Sequence, residues 1–266
     1  MQTKGKFILM TVAEFQTFLL STNIKRKIRL IQNHHTLIPS YRNFNGMNHF
    51  EKLKGMEEFH LQRKFSEIAQ NITTFPDGTI AICRSLEKDP AGIKGANTGA
   101  ICMEHLGDFD LNRDQMSEAQ RKTIIRINAL LCHRFELTPD TNHVVYHHWY
   151  HLTTGKRDGG ANDKNHKTCP GSAFFGGNTE TDCINNFLPL VRTEMAAIRL
   201  GMNIQFENRT GIVHAAVLNV RTGPGTKFPV VRKLKENDTV SIFESDGSWD
   251  RIGEKQWVSA DFIVLK

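Results

Sequence analysis

Strands alternating with long amphipathic helices occupy the first 200 residues, and short β runs separated by Gly, Pro, Asp and Asn occupy the chain from Val213 onward. These two patterns predict a mixed α/β domain, a sheet flanked by helices, followed by a small all-β barrel. With 266 residues, the chain is long enough for both to have a core.

The elements follow in order. Thr11-Val12-Ala13-Glu14 is a capping box that opens a helix to about Thr22, with Val12, Phe15, Phe18 and Leu19 on one face. Residues 27–32, with Ile28, Leu30 and Ile31, read as a buried strand that delivers His34 at its C-terminal end. Pro39 and the polar run to Asn48 form a loop. Residues 50–69 read as one long amphipathic helix carrying Phe50, Leu53, Met56, Phe59, Phe65 and Ile68. Residues 72–75 and 79–83 flank Pro76-Asp77-Gly78 as a hairpin. Residues 100–106 form another apolar strand, with Glu104 in its middle. Ser117-Glu118-Ala119-Gln120 is a second capping box and starts a helix to about Phe135, with Ile124, Ile127, Leu130 and Leu131 inward. Residues 144–146 form a short strand ahead of His147. After a loop to Gly177, residues 179–200 make a last helix, kinked or broken at Pro189.

From Val213 onward, residues 216–221, 230–234, 239–244, 249–253 and 256–258 read as strands of the barrel. The expected domains are 1–200 and 213–266, joined by a linker over 201–212. The barrel carries eight Lys/Arg against seven Asp/Glu, so the +6 charge of the chain sits on the larger domain.

Composition narrows the function classes. Apolar residues make up 39% and charged residues 23%, values of an ordinary globular protein. No Lys/Arg block tracks nucleic acid, and no apolar stretch reaches membrane-spanning length, so neither nucleic acid nor membrane insertion is expected. A mild basic excess does suit an anionic polymer such as a bacterial wall. The five cysteines are widely spaced and odd in number, which is not a disulfide framework. Lys4 and Lys6 precede Phe7-Ile8-Leu9-Met10 in the manner of an export signal. However, Glu14 and Gln16 interrupt the apolar run and no small-residue cleavage site follows.

Two apolar segments each end in a His pair, His34-His35 and His147-His148, and His166-Lys167-Thr168-Cys169-Pro170-Gly171 follows downstream. Two imidazoles and a thiolate fill three positions of a zinc ion and leave one for water. Strand alternation lets only one His of each pair face a shared site, without deciding which. His151 and His166 compete as ligands, and Cys169 could equally be a buried hydrophobe. Glu104 on an apolar strand is costly unless it is paired or lines a cavity. It is either a general base with a shifted pKa or a charge on the open face of an edge strand. Residues 108–114 begin like a calcium loop, but Arg113 and Ala119 stand at its sixth and twelfth positions, so a solvated turn is the reading.

Taken together, residues from about 28 to 190 resemble the type 2 zinc-dependent N-acetylmuramoyl-L-alanine amidases, which share a fold with peptidoglycan recognition proteins and certain phage lysozymes. The matching motifs are His34-His35-Thr36 after a strand, Pro76-Asp77-Gly78-Thr79-Ile80, the Glu104 strand ending in Gly107, Val145-Tyr146-His147, and Lys167-Thr168-Cys169-Pro170-Gly171. The resemblance implies a type 2 amidase fold in which His34, His147 and Cys169 bind Zn2+, leaving His35 and His148 in supporting positions. It also implies that Lys167 stabilises an oxyanion and that Glu104 serves as general base. Two features depart from the family. Its Tyr before the Asp-Gly turn is missing, Gln70 or a neighbour standing there. The span from His147 to Cys169, 169 − 147 = 22 positions, is longer than usual, which makes it an expected groove segment with Trp149 and Tyr150 as walls.

Leu218-Asn219-Val220-Arg221-Thr222-Gly223-Pro224-Gly225, Trp249 and Gln256-Trp257-Val258 resemble a bacterial SH3-like domain, a type that commonly binds cell-wall peptide. The implied function is hydrolysis, by a monomer, of the amide between N-acetylmuramic acid and L-alanine in peptidoglycan, at the bacterial wall. With no export signal visible, phage-type release, effector delivery or trimming of a secreted precursor would bring it there. The rival readings are a Cys169-dependent peptidoglycan endopeptidase and a non-catalytic wall-binding protein.

Overall fold

A seven-stranded sheet organises the first of two units, residues 1–195, in the computed structural model; the second spans 196–266. The structure describes residues 1–207, 209–245, 248–253 and 255–265. The elements are β1 Gln2–Lys4, β2 Phe7–Met10, α1 Val12–Ser21, β3 Leu30–His35, α2 His49–Gln62, β4 Ile72–Thr74, β5 Ile80–Ile82, β6 Ala100–His105, α3 Glu118–Arg134 and β7 Val144–Tyr146. Strand order is β1-β2-β5-β4-β6-β3-β7. The four strands β4, β6, β3 and β7 run parallel, and the rest pair antiparallel.

Register sorts the side chains onto two faces. Gln32 lies opposite Cys102 and Val145, and His34 lies opposite Glu104, so these residues share one face. Asn33, His105 and Thr74 belong to the other, where they meet α3: Asn33 pairs with Asn128, and His105 joins Asn33 to Thr74. Asn33, Asn128, His105 and Thr74 therefore satisfy one another, as a desolvated network requires. On the front, α2 sets Leu53 and Met56 into a cluster with Phe7, Leu9, Ile68, Phe75 and Leu106.

Local chemistry explains where expectation and structure part. The Thr11–Glu14 capping box is complete. At Ser117 only half forms: its hydroxyl accepts from Gln120 N, while the Gln120 amide turns inward to Thr74 and Leu106. The helix expected to reach Ala69 stops at Gln62. Lys64 takes φ +64°, and Phe65 N–H and Lys64 N–H donate to His60 O and Leu61 O, a Schellman ending made without glycine. The rings of His60 and Phe65 stack across it at 5.5 Å. The N-terminal hairpin β1–β2, absent from the expected elements, extends the sheet through pairing of β2 with β5.

Near Pro189 the chain runs α4 Glu180–Asp182, a π turn Cys183–Phe187, and α5 Leu188–Glu207. The wider turn absorbs the missing proline N–H, so the helix deviates just before Pro189 and then continues. The segment 201–212, expected as a linker, contains the end of α5 and most of strand β8.

The second unit is all β beyond α5: β8 Arg209–Val213, β9 Val217–Arg221, β10 Val230–Lys235, β11 Thr239–Ile242, β12 Glu244–Ser245, β13 Trp249–Gly253, β14 Gln256–Ser259 and β15 Ile263–Leu265. They form a five-stranded sheet (β10-β9-β14-β13-β12) and a three-stranded one (β11-β8-β15) around Val213, Leu218, Val220, Leu234, Val240, Ile242, Ile252 and Val258. The run expected as one strand over 239–244 divides at Phe243 between the two sheets.

Candidate metal centre

His34, near the end of β3, projects from the front face. The chain leaves β7 at Tyr146 and enters a 3-10 turn, His147–Trp149, that brings His147 beside it. Their Nδ1 atoms stand 3.2 Å apart, and with Cys169 Sγ the three donor atoms lie within 4.8 Å of one another, all buried. Two ligands about 2.0–2.1 Å from one tetrahedral zinc are separated by about 3.3–3.4 Å, so the imidazole pair has the spacing of two corners.

Protonation suits the same chemistry. Burial holds His34 far below the usual histidine range, with His147 adding to the effect. Burial, helped by Lys167, takes His147 down to about 3. Both imidazoles are therefore neutral at physiological pH and carry the free lone pair a metal needs. Burial and the neighbouring Glu104 push the Cys169 thiol up to about 12, Lys167 opposing. A thiol so placed ionises only beside a strong positive charge; this is the opposite of the lowered pKa that activates a nucleophilic cysteine.

The Cys169 loop is held from several sides. Asp110 accepts from Thr168 Oγ1 and from Ser172 N, both at 2.9 Å. His148 Nδ1 donates to Lys167 O (2.6 Å), His148 N to Cys169 O (2.7 Å), and Asn178 Nδ2 to Thr168 O (2.8 Å). Gly171 is needed where it stands: its φ is +120°, and a Cβ there would lie 2.4 Å from Phe109 O. Asp110 and Asn178 escaped sequence reasoning. The acidic spacing at 108–114 was the available signal, but it reads as a solvated turn, whereas Asp110 braces this loop and Asp114 binds the amides of Tyr41 and Asp108.

His34, Glu104, Lys167 and Cys169 open into a groove of about 1050 Å³. Its walls come from 36–39 and from α2, which contributes Glu51, Lys52, Gly55 and Phe59. Glu104 keeps an edge toward this groove but sits deep in it. Burial raises its carboxyl to about 7, with Lys167 pulling the other way.

Other expected participants lie elsewhere. Trp149 and Tyr150 are not walls. Trp149 is wholly buried with Nε1 bonded to Asn178 O, and Tyr150 is 7% exposed. An indole and a phenol in a polar loop look like a binding surface, yet here they anchor that loop to the core. Gln70 is buried against Thr73 and Met56 and does not line the groove. His35 accepts from Phe109 N, His151 from the amides of Thr153 and Thr154, and His166 binds Asp163 and Asp158.

A family model described as N-acetylmuramoyl-L-alanine amidase matches residues 24–172, and one described as bacterial SH3 domain matches 216–264. No curated protein matches the chain. Solved structures similar to it include the endolysine N-acetylmuramoyl-L-alanine amidase LysCS from Clostridium intestinale URNW (23% identity, TM-score 0.37, 45% of this chain and 68% of that one). The amidase LysC from the same source is 20% identical, with TM-score 0.40 over 58% of this chain and 85% of that one. Drosophila PGRP-LB is 14% identical, with TM-score 0.43 over 56% and 78%.

Proposed function

Because the chain belongs to the N-acetylmuramoyl-L-alanine amidase family, we propose that its groove hydrolyses the lactyl amide to L-alanine in peptidoglycan with Zn2+ held by His34, His147 and Cys169. The observation that carries this reading is the 3.2 Å approach of two neutral imidazole nitrogens beside a buried thiol. When bound, Zn2+ supplies a Lewis acid that activates water and polarises a carbonyl.

The protein's own groups do the rest. Glu104, its carboxyl raised to about 7, takes a proton from the attacking water and returns it to the leaving amine, a pKa suited to both tasks. Lys167, in the groove lining beside Cys169, stabilises negative charge developing on the scissile carbonyl oxygen. Neither role needs a tyrosine, in whose family position Gln70 or a neighbour stands here. The walls from α2 and 36–39 hold glycan and stem peptide. The bacterial SH3 domain ties the enzyme to the wall, where it acts as a monomer outside the cytoplasm, and the functional boundary between the domains lies within 201–212.

Digestion of purified muropeptides followed by mass spectrometry, with and without chelator, tests the reading. The expected products are free stem peptide and unsubstituted glycan, formed only with metal. Cleavage inside the stem peptide, or activity indifferent to chelator, would overturn it.

A further inference from the structure

Two buried polar atoms near the metal centre lack a hydrogen-bond partner among the described residues: His34 Nε2 and Gln32 Oε1. Both side chains are nearly inaccessible, at 2% and 0% exposure. They lie two residues apart on β3 and so on the same face of the sheet. The Gln32 amide has a fixed orientation, because its Nε2 donates to Ala96 O at 2.7 Å and a carbonyl can only accept. Oε1 must therefore be the end that points the other way. Both orphan atoms converge on Gly92: a Cβ there would lie 2.3 Å from Gln32 Oε1 and 3.2 Å from His34 Nε2, which bounds their separation at 5.5 Å. That span is within a bridge of one water, two hydrogen bonds of about 2.8 Å each. Gly92 is held in place by Asn97 Oδ1, which accepts from the amides of Gly92 and Ile93.

The chemistry of the two atoms is complementary. A neutral imidazole that offers Nδ1 to a metal carries its proton on Nε2, which is then a buried donor in need of an acceptor. Gln32 Oε1 is a buried acceptor in need of a donor.

We infer that Gln32 is a positioning residue for His34: its amide oxygen accepts, through one bridging water, the hydrogen bond of the His34 Nε2–H, and so fixes the tautomer that leaves Nδ1 free for the metal. Gly92 belongs to the same device, since any side chain there displaces the Gln32 amide. This rests on the metal-centre reading above.

Zinc affinity of the full-length protein, measured by competition with a chromophoric chelator, tests it. Gln32→Leu should bind zinc about 10–100-fold more weakly than wild type, the usual effect of losing a ligand's outer partner. Gly92→Ala should fall in the same range. Gln32→Glu keeps an acceptor oxygen but cannot donate to Ala96 O, so it should retain most of the affinity if His34 is what matters. If Gln32 served only to anchor Ala96, Glu would be as harmful as Leu, which overturns the proposal. In long-range 1H–15N spectra of zinc-loaded wild type, His34 should carry its proton on Nε2; a proton on Nδ1 overturns it. Zinc affinity within about threefold of wild type in both Gln32→Leu and Gly92→Ala does so too. Should Gln32→Leu fail to fold, Gly92→Ala and the wild-type spectrum decide. Failure of wild type to bind zinc at all would instead refute the metal centre itself.

Discussion

Replacing Glu104 by Gln keeps the shape of the side chain while removing its charge and its basicity, and two opposite effects follow. If Glu104 is the proposed general base and acid, the zinc-loaded variant should be slower by about 10²–10⁴-fold, a loss of about 3–5 kcal/mol of transition-state stabilisation. Stability should move the other way. Burial raises the folded carboxyl to about 7 from an ordinary 4.5, Lys167 opposing. The metal-free fold thus binds a proton that the unfolded chain has released, and stability falls as pH climbs between those two values. Above about pH 7 the ionised carboxylate costs at most about 3 kcal/mol, an upper figure because one edge meets the groove. Gln carries no such cost. Metal-free wild type and variant should therefore unfold at similar urea concentrations near about pH 4.5, and the variant should be the more stable near about pH 8. Amine release from purified peptidoglycan by the zinc-loaded pair gives the rate. Full activity in the variant refutes the general-base role; a stability difference that is the same at both pH values refutes a buried, titrating carboxylate.

Three further outcomes are expected. Asp110→Ala removes two of the bonds that hold the Cys169 loop, each at 2.9 Å; with Asp110 partly buried, the cost in urea should be about 2 kcal/mol, and zinc affinity should fall with it. His166 can satisfy Asp163 (2.7 Å) and Asp158 (3.0 Å) together only as imidazolium, and the Asp163 bond, followed by Asp158, raises its pKa. Its stabilisation is therefore full below about 6.5 and is lost as pH rises through the folded pKa, so His166→Ala should destabilise clearly near about pH 5.5 and little near about pH 9. Chelator dialysis should abolish hydrolysis and zinc should restore it, while a thiol-blocking reagent leaves the zinc-loaded enzyme active; the reverse pattern would identify a cysteine nucleophile.

The parts of this molecule that could be read in the chain are those governed by local rules. The strands ending at His35 and Tyr146 announce themselves by apolar runs, and Thr11 and Ser117 by their caps. His34, His147 and Cys169 are more than a hundred positions apart at the extremes, yet two of them sit at the ends of adjacent parallel strands of one mixed sheet, which is what brings such residues together. What escaped depends on tertiary context. The end of α2 is set by a left-handed Lys64, a conformation that composition does not advertise. The groove wall is the charged side of α2, with Glu51 and Lys52, and periodicity assigns such a side to solvent. Trp149 and Tyr150 look functional in a polar loop and turn out to be its anchors.

The energetics of the site tie its construction to its chemistry. In the fold alone, burial keeps His34 and His147 neutral, the Cys169 thiol protonated and the Glu104 carboxyl near its neutral form. Lys167, in the groove lining, is the cation that opposes burial at Glu104 and at Cys169. A divalent cation among these groups reverses the balance: it favours the Cys169 thiolate and draws Glu104 toward carboxylate, while the imidazoles need no change. Binding of such a cation would be coupled to release of the thiol proton, and the groups that are most costly to desolvate would become the ones best stabilised. The rigid frame for this exchange lies on the sheet. On its back face Asn33, His105 and Asn128 bond one another, while on its front face His34 and His147 turn their Nδ1 atoms toward each other at 3.2 Å, the pair of donors a cation would enter between.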